Sequence, residues 1–319
     1  MALEKEIDLE SFKGKISRVT VSGLSAGAYM AHQLQVAYSK EISGAAIVAG
    51  GFYRCANGSM VHGIYGCMAG DLIEKDFNEA LEKINEYERD GLIDPLEYLK
   101  DDHVFLFSGT NDVIVHEKGM LLLKDFFDLY PVTNVISDFS FPAGHGMVTE
   151  SQGSACDATG LDNRPWLLNC NRDLSREILE TMVDRKLKAK TLAKRSNLFT
   201  FSQLPFISFA SGLGSYGHIY IPSNCLKGAT CDLHMALHGC DQTPQTVGDA
   251  FIWDSGYNQW AESNDIIILY PSASRSYMVP LNPMGCFDWW GYTGPNYANK
   301  RGVQPDALMK MIRTLKQIF

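Results

Sequence analysis

The sequence predicts an α/β fold in which helices flank a mostly parallel central sheet. Three observations support this prediction. Short runs rich in valine, isoleucine and phenylalanine alternate along the chain with segments of helical periodicity, and several of those runs are almost wholly apolar. The 319 residues, of which 45% are hydrophobic and 20% charged, are enough for one large α/β domain or two smaller ones.

Strands are predicted where a short apolar run is bounded by turn residues, and helices where apolar residues recur every three or four positions. The predicted strands cover residues 16–21, 44–48, 104–107, 135–141, 218–221, 233–237 and 266–269. The predicted helices cover residues 28–38, 77–87, 118–130, 176–188, 250–263 and 305–318. The clearest change in composition is the basic segment 184–196, which we interpret as a solvated helix end and connector between two halves that each contain strands and helices.

Charge and hydropathy exclude two classes of partner. The net charge is −9, and the isoelectric point near 5.4 leaves no basic face for phosphates, so nucleic acid is not an expected partner. No apolar run approaches the roughly 20 residues that cross a bilayer, so no transmembrane segment is expected. The start of the chain, "MALEKEIDLE", has neither the basic region nor the apolar region of a signal peptide. We therefore expect no export signal in this sequence.

The eight cysteines favour disulfide bonds over a metal site. Three pairs each bracket a short polar or glycine-rich loop, and a fourth pair is possible over a longer range: Cys55 and Cys67, Cys156 and Cys170, Cys225 and Cys231, then Cys240 and Cys286. No Cys-x-x-Cys occurs, and the pairs lack histidines at ligand spacing, so neither zinc nor another metal is expected. The alternative is eight reduced thiols in a cytosolic protein. Disulfides would instead place the mature protein in the periplasm or outside the cell.

A Gly-x-Ser-x-Gly motif, "GLSAG", joins the first predicted strand to the first predicted helix. Gly23 and Gly27 remove side chains where a sharp turn brings a strand and a helix together, so Ser25 is expected at a helix N-terminus as a nucleophile. The backbone N–H of Ala26 would then be free to donate to an oxyanion. The alternative is a glycine-rich structural turn with an inert serine.

A nucleophilic serine needs a base and an acceptor that orients it, and two loops after predicted strands provide candidates. Asp112 lies in "SGTND" after strand 104–107, and His145 lies in "PAGHG" after strand 135–141. Of the histidines, only His145 follows Asp112 by a full helix and strand, which gives the chain order Ser, Asp, His of α/β-hydrolases. The alternatives are a turn-forming carboxylate and a solvent-exposed loop histidine. The competing histidines are His32, His62, His103, His116, His218, His234 and His238.

A second oxyanion donor is expected from "LHGC", where the apolar strand 233–237 runs into His238 and Gly239. The N–H of Cys240 is the candidate, and a disulfide from its sulfur to Cys286 is compatible with that role. In the usual arrangement this loop precedes the serine motif, whereas here it follows. A circular permutation explains the order, with the old termini joined near residues 184–196.

The motifs together resemble a known family. "VSGLSAGAYMAHQLQVAYS", "SGTNDVIV", "GHGMV", "HMALHGCDQT", "GYNQWAESNDIIILYPSA" and "NPMGCFDWWGYTG" are similar to the secreted single-domain poly(3-hydroxybutyrate) depolymerases, which have a circularly permuted α/β-hydrolase fold. The likeness extends from about residue 17 to the C-terminus and is weakest over residues 70–101. It implies one catalytic domain over residues 1–319.

The resemblance also implies roles for individual residues. They are Ser25 as nucleophile, His145 as base, Asp112 as its partner, the N–H groups of Ala26 and Cys240 as oxyanion hole, and disulfides 55–67, 156–170, 225–231 and 240–286. Trp289 would form the aromatic wall of the substrate crevice. Three features depart from the family pattern. Phe287 replaces a tryptophan, which puts the substrate preference in doubt. The charged segment 70–101 is a longer insertion, expected to be a helical surface excursion. A signal peptide is missing.

These observations predict a serine esterase that needs no cofactor and hydrolyses poly(3-hydroxybutyrate)-type polyesters or their oligomers. The cleft is expected to be lined by Trp289, Trp290 and Tyr292, with core packing as the alternative role for these aromatic residues. Apolar surface would assist adsorption to an insoluble polymer. One alternative is a small-ester carboxylesterase of feruloyl or acetyl-xylan type. A second is a non-catalytic polymer-binding module. The oligomeric state is not predicted.

Overall fold

The computed structural model describes residues 5–12, 14–130, 132–160, 163–208 and 210–317. Within them, twelve strands form two sheets. The strands are β1 (Lys5–Glu6), β2 (Lys15–Leu24), β3 (Gly44–Val48), β4 (His103–Phe107), β5 (Asn134–Asp138), β6 (Met147–Thr149), β7 (Ser154–Ala155), β8 (Leu167–Asn169), β9 (Leu198–Ser202), β10 (Tyr216–Tyr220), β11 (Thr230–Leu237) and β12 (Ile266–Tyr270).

The large sheet has nine strands in the order β1-β9-β10-β12-β11-β2-β3-β4-β5, and β6-β8-β7 form a small second sheet. In the large sheet only β10 runs antiparallel to its neighbours. Every residue of β3, β4 and β12 is buried, which requires cover on both faces and explains why these strands are apolar throughout. The predicted fold class, a mostly parallel sheet flanked by helices, is confirmed.

Ten α-helices surround the sheets in the described residues. They are α1 (Ala26–Ala37), α2 (Met60–His62), α3 (Glu74–Arg89), α4 (Lys118–Leu129), α5 (Leu174–Val183), α6 (Ser223–Leu226), α7 (Pro244–Val247), α8 (Ala250–Asp254), α9 (Tyr257–Asn264) and α10 (Val303–Lys316). Helices α1, α3, α4 and α10 contribute to one hydrophobic core, and α5, α8 and α9 contribute to a second. No helix among the described residues is long and apolar enough to span a bilayer.

The strand order matches the permutation inferred from the motifs. We renumber the strands from β9 to β12 as 1 to 4 and from β2 to β5 as 5 to 8, and leave out β1. In this numbering the large sheet has the order 1-2-4-3-5-6-7-8, so each half of the chain forms one side of the sheet. The two halves of the chain therefore meet within the sheet at the pair β2 and β11, whose register places Gly23 opposite Leu237. Strands from the two halves of the chain thus lie side by side at the centre of the sheet.

Four predicted helices match the observed ones to within three residues at each end, and two differ more. The helix predicted over 176–188 ends at Val183, because Asp184 adopts a left-handed conformation with φ 51°. The helix predicted over 250–263 is divided into α8 and α9 at Gly256, whose φ is 98°. A Cβ atom at Gly256 would also lie 2.4 Å from Ser175 Oγ. Of the predicted helix 305–318, residue 318 lies outside the described residues.

Candidate active site

The Gly-x-Ser-x-Gly motif forms a tight turn between β2 and α1. Ser25 has φ 57° and ψ −120°, a strained conformation that projects the serine from the turn. The flanking glycines are required by close approach. A Cβ atom at Gly23 would lie 2.1 Å from the carbonyl carbon of Gly27, and one at Gly27 would lie 2.4 Å from the carbonyl oxygen of Leu237. The turn therefore places Ser25 at the N-terminus of α1, as the motif predicts.

Asp112 and His145 form a hydrogen-bonded pair at the carboxyl end of the sheet. Asp112 follows β4, and its Oδ1 accepts hydrogen bonds from the N–H groups of Ile114 and Val115, both at 2.9 Å. Its Oδ2 lies 2.7 Å from His145 Nδ1, and the two side chains are only 1% and 6% exposed. An ionised carboxylate only accepts hydrogen bonds, so Nδ1 is the protonated nitrogen. His145 Nε2 is thereby left to act as a base.

Ser25 and His145 line one cavity of about 270 Å³. Its wall is almost entirely apolar apart from these two side chains and Asp241. The other lining residues are Leu24, Ala26, Tyr29, Met60, Ile64, Met68, Ile114, Val115, Trp166, Gly239, Cys240, Pro283, Met284, Cys286, Trp289 and Trp290. His145 is the one histidine among them. Ser25 Oγ makes no hydrogen bond to any described residue, and in unliganded hydrolases the bond from serine to histidine is often long.

The two candidate oxyanion donors face this cavity from opposite halves of the chain. Ala26 begins α1 and Cys240 follows β11, and both residues line the cavity. Neither backbone N–H has an acceptor among the described residues. A Cβ atom at Gly239 would lie 3.4 Å from Ser25 Cβ, so the loop after β11 approaches the serine closely. The arrangement can hold a negatively charged oxygen between two amides next to Ser25.

His238, which precedes the candidate donor loop, has a structural position. Its Nε2 accepts from the N–H of Ala273 at 3.1 Å, so Nδ1 carries the proton and donates to the carbonyl oxygen of Gly239 at 2.7 Å. Burial lowers the pKa of this imidazole to about 4. The ring packs 4.8 Å from Phe287, which is fully buried and does not line the cavity. Phe287 therefore supports the loop after β11 and is not part of the cavity wall.

The aromatic wall consists of Trp289 and Trp290, with Tyr29 stacked on Trp289 at a ring distance of 4.9 Å. Tyr292 was expected in this wall but does not line the cavity. Its hydroxyl donates to the carbonyl oxygen of Cys286 at 2.7 Å. The Tyr292 side chain therefore supports the loop that contains Cys286. The prediction also missed Tyr29, although it lies four residues after Ser25 and so on the same face of α1.

Three further cavity residues, Met60, Ile64 and Trp166, carry no motif and were not predicted. Met60 and Ile64 come from a short helical segment that sequence periodicity does not distinguish from a loop. Trp166 has φ 62° and lies edge-on to the His145 ring at 5.8 Å. No sequence pattern links Trp166 to His145, so its place in the site is seen only in the structure.

Four disulfide bonds lie around the site and in the sheet connections. They join the same cysteines as the resemblance implies, namely Cys55 with Cys67, Cys156 with Cys170, Cys225 with Cys231, and Cys240 with Cys286. The last bond connects the loop that carries one candidate oxyanion donor to the segment that precedes the tryptophans. Among the described residues, no group of three or more His, Cys, Asp or Glu side chains is placed to hold a metal ion.

Comparison with known proteins places this geometry in a family. No protein-family model matches the chain. The chain is 36% identical over 312 residues to a poly(3-hydroxybutyrate) depolymerase of Delftia acidovorans, an alignment that covers 96% of this chain but 61% of the relative. It is 31% identical over 322 residues to a polyhydroxybutyrate depolymerase of Talaromyces funiculosus, covering 98% of this chain and 93% of the relative.

Two solved structures have the same fold. The PHB depolymerase from Penicillium funiculosum superposes with a TM-score of 0.86 at 31% identity. A PHB depolymerase complexed with an R3HB trimer superposes with a TM-score of 0.86 at 30% identity. Each alignment covers 98% of this chain and 100% of the other. The chain therefore belongs to the polyhydroxybutyrate depolymerase family.

Proposed function

We propose that the chain is a serine esterase that hydrolyses poly(3-hydroxybutyrate)-type polyesters or their oligomers through an acyl-enzyme on Ser25. The observation that carries the proposal is the hydrogen bond of His145 Nδ1 to Asp112, with the His145 side chain lining the same apolar cavity as Ser25. The names of the relatives and the R3HB trimer in one solved structure support the choice of substrate.

In the first step, His145 Nε2 removes the proton of Ser25 Oγ while Oγ attacks the ester carbonyl carbon. The carbonyl oxygen becomes negatively charged and accepts hydrogen bonds from the N–H groups of Ala26 and Cys240. Asp112 stabilises the imidazolium that forms. The tetrahedral intermediate then collapses, the bond from carbon to the alkoxy oxygen breaks, and His145 donates its proton to the departing hydroxyl end of the polyester.

In the second step, His145 removes a proton from water, and the resulting hydroxide attacks the acyl carbon on Ser25. The same two amides stabilise the second oxyanion. The acyl-oxygen bond to the serine breaks, His145 returns the proton to Ser25 Oγ, and the product leaves as a carboxylic acid. Each ester cleaved therefore consumes one water and yields one hydroxyl and one carboxyl end.

The cavity suits a short aliphatic ester. Its volume of about 270 Å³ and its wall of methionine, isoleucine and tryptophan side chains match a small unit that carries an alkyl branch. We assign Trp289 and Trp290 to substrate binding. Around the mouth, Met60, Ile64 and Met284 are 51%, 41% and 41% exposed, an apolar rim that fits adsorption to a water-insoluble polymer.

We further propose that residues 1–319 form one catalytic domain whose permutation junction lies near residues 184–196. This segment lies between α5 and β9 and contains no helix or strand before residue 195. We also propose that the mature protein is secreted or periplasmic, since four disulfides form and persist in oxidising compartments.

The test compares wild type and Ser25→Ala in clearing a turbid poly(3-hydroxybutyrate) suspension. Wild type should clear it and be labelled by a fluorophosphonate, and Ser25→Ala should do neither. Release of ferulate from methyl ferulate, without clearing, would instead indicate a small-ester carboxylesterase. Binding to the polymer by a wild-type chain that is never labelled would indicate a non-catalytic module.

A further inference from the structure

Asp241, the residue after the candidate oxyanion donor Cys240, is a buried carboxylate held between two arginines. Arg164 Nε contacts one carboxylate oxygen and Arg275 Nη2 contacts the other. The Asp241 side chain is 1% exposed, whereas those of Arg164 and Arg275 are 51% and 31% exposed. A buried charge is costly unless it is paired, so the two arginines are what allow a carboxylate at this place.

The backbone of Asp241 is fixed as firmly as its side chain. Its φ is 58°, in the left-handed region, and its N–H donates to the carbonyl oxygen of Met284 at 2.6 Å. The next residue, Gln242, accepts from the N–H of Gly239 at 2.8 Å and donates to the carbonyl oxygen of Pro165 at 2.8 Å. The turn 239–242 is therefore anchored by both of its polar side chains.

These contacts connect three loops that wall the cavity. Arg164 belongs to the loop that ends at Trp166, whose ring packs against His145. Arg275 begins the segment that contains Met284 and Cys286, the disulfide partner of Cys240. The carboxylate at position 241 thus joins the loop beside the candidate base and the loop beside the tryptophans to the turn that presents the Cys240 N–H.

We propose that Asp241 is the positioning residue of the oxyanion hole: its carboxylate, clamped by Arg164 and Arg275, fixes the direction of the Cys240 N–H. This inference rests on the proposed function, because it assigns Asp241 to a hole whose use requires acyl transfer on Ser25. The clamp also carries one net positive charge. It therefore offsets the negative charge that a lone carboxylate would place beside the developing oxyanion.

The clamp is tested with Asp241→Asn, which keeps the size of the side chain and the tolerance of left-handed backbone but removes its charge. Arg275→Gln and Arg164→Gln break the same contacts from partly exposed positions. The matched control is Asp232→Asn. Asp232 is also a nearly buried carboxylate, paired with Arg185 at 2.7 Å, but it lies near the start of β11 and the turn lies beyond its end.

Each variant is assayed on p-nitrophenyl butyrate and on its thiono analogue, in which sulfur replaces the carbonyl oxygen. Amide N–H groups bond sulfur weakly, so an intact oxyanion hole favours the oxygen ester. For Asp241→Asn we expect kcat on the ester to fall about tenfold to a hundredfold. KM should stay within about twofold, and the preference for the ester should fall with kcat. Asp232→Asn should keep the wild-type preference.

The outcomes separate the inference from the proposed function. A wild type that is never labelled by a fluorophosphonate overturns the function itself. An active wild type whose Asp241→Asn variant keeps the wild-type preference overturns the clamp, whether kcat is unchanged or falls equally on both substrates. If Asp241→Asn does not fold, Arg275→Gln and Arg164→Gln decide: a lowered ester preference supports the clamp, and an unchanged preference overturns it.

Discussion

Gly27 lies so close to Leu237 that a Cβ atom on the glycine would be 2.4 Å from the carbonyl oxygen of the leucine. Gly27 is in the first turn of α1, and Leu237 ends β11, so this contact joins the two halves of the chain two residues after Ser25. The serine turn can pack this closely against β11 only because residue 27 is a glycine.

Gly27→Ala is therefore expected to displace the serine turn from β11. Overpacking against backbone costs about 1 to 3 kcal/mol, and the displaced turn should lower kcat as well as the melting temperature. The measurements are thermal unfolding and ester hydrolysis. Gly119→Ala is the control, since Gly119 lies in α4 and its added Cβ would meet nothing nearer than 3.4 Å. An active, equally stable Gly27→Ala protein would contradict the packing argument.

Asp112→Asn should reduce kcat by about 10⁴-fold with little change in the unfolding midpoint. The amide oxygen can still accept from the N–H groups of Ile114 and Val115, so the loop is retained. The NH₂ group then faces His145 Nδ1, which favours the wrong tautomer of the imidazole. Steady-state kinetics check the fall in kcat, and urea unfolding of the same preparation checks that the midpoint is unchanged. Activity within tenfold of wild type would remove Asp112 from the mechanism.

The disulfides should differ in what their removal affects. By chain entropy, the bond closing 46 residues, Cys240 to Cys286, stabilises by about 4 kcal/mol, and the bond closing 6 residues, Cys225 to Cys231, by about 2 kcal/mol. Only the first lies in the cavity wall. Replacing Cys240 and Cys286 by alanine should thus lower stability and kcat, whereas replacing Cys225 and Cys231 should lower stability alone. Urea midpoints and kcat of both double variants decide this.

Buried neutral histidines should make the fold acid-sensitive. Burial lowers the pKa of His32 and His238 to about 4 and that of His234 to about 3. In the unfolded chain a histidine titrates near 6.5, so the unfolded state gains protons first as the pH falls. The stability these groups contribute is complete above about pH 6.5 and declines towards pH 4, by up to about 1.4 kcal/mol per pH unit for each histidine.

His234→Gln should flatten this decline, and the comparison is made by urea unfolding at pH 7, 6 and 5. His116→Gln, at an exposed position, is the control. Asp102 acts in the opposite sense, because burial raises its carboxyl pKa to about 8, so its contribution is lost as the pH rises from about 4 to 8. The slope of the free energy of unfolding against pH is therefore compared between variants. Equal slopes for His234→Gln and wild type would contradict a lowered pKa for His234.

The strands beside the site could be predicted because their side chains are buried on both faces. Residues 44–48 are observed as β3 without change, and β12 extends its prediction by Tyr270 alone. β9 was missed, since it lies near the edge of the sheet and only two of its five residues are fully buried, with no regular alternation. The small sheet of β6, β7 and β8 was also missed, because two and three residues are too few for any periodicity.

Motifs located the polar groups of the candidate site, while its apolar wall depended on distant contacts. Asp112 and His145 follow strands in glycine-rich loops, which is a local pattern. Phe287 packs against His238, and Tyr292 donates to the carbonyl oxygen of Cys286, so neither side chain lines the cavity. No local sequence pattern reveals these contacts. The partners of Asp241 are likewise remote in sequence, so the clamp is visible only in three dimensions.

The pairing of β2 with β11 also determines when the site can be completed during biosynthesis. A ribosome adds about 5 to 20 residues per second, so Cys240 is synthesised about 10 to 40 s after Ser25. Asp112 and His145 are synthesised within this interval. The strand β11, which supports the serine turn, and the candidate oxyanion donor Cys240 follow only at its end. A nascent chain should therefore carry its nucleophile without esterase activity until its last third has emerged.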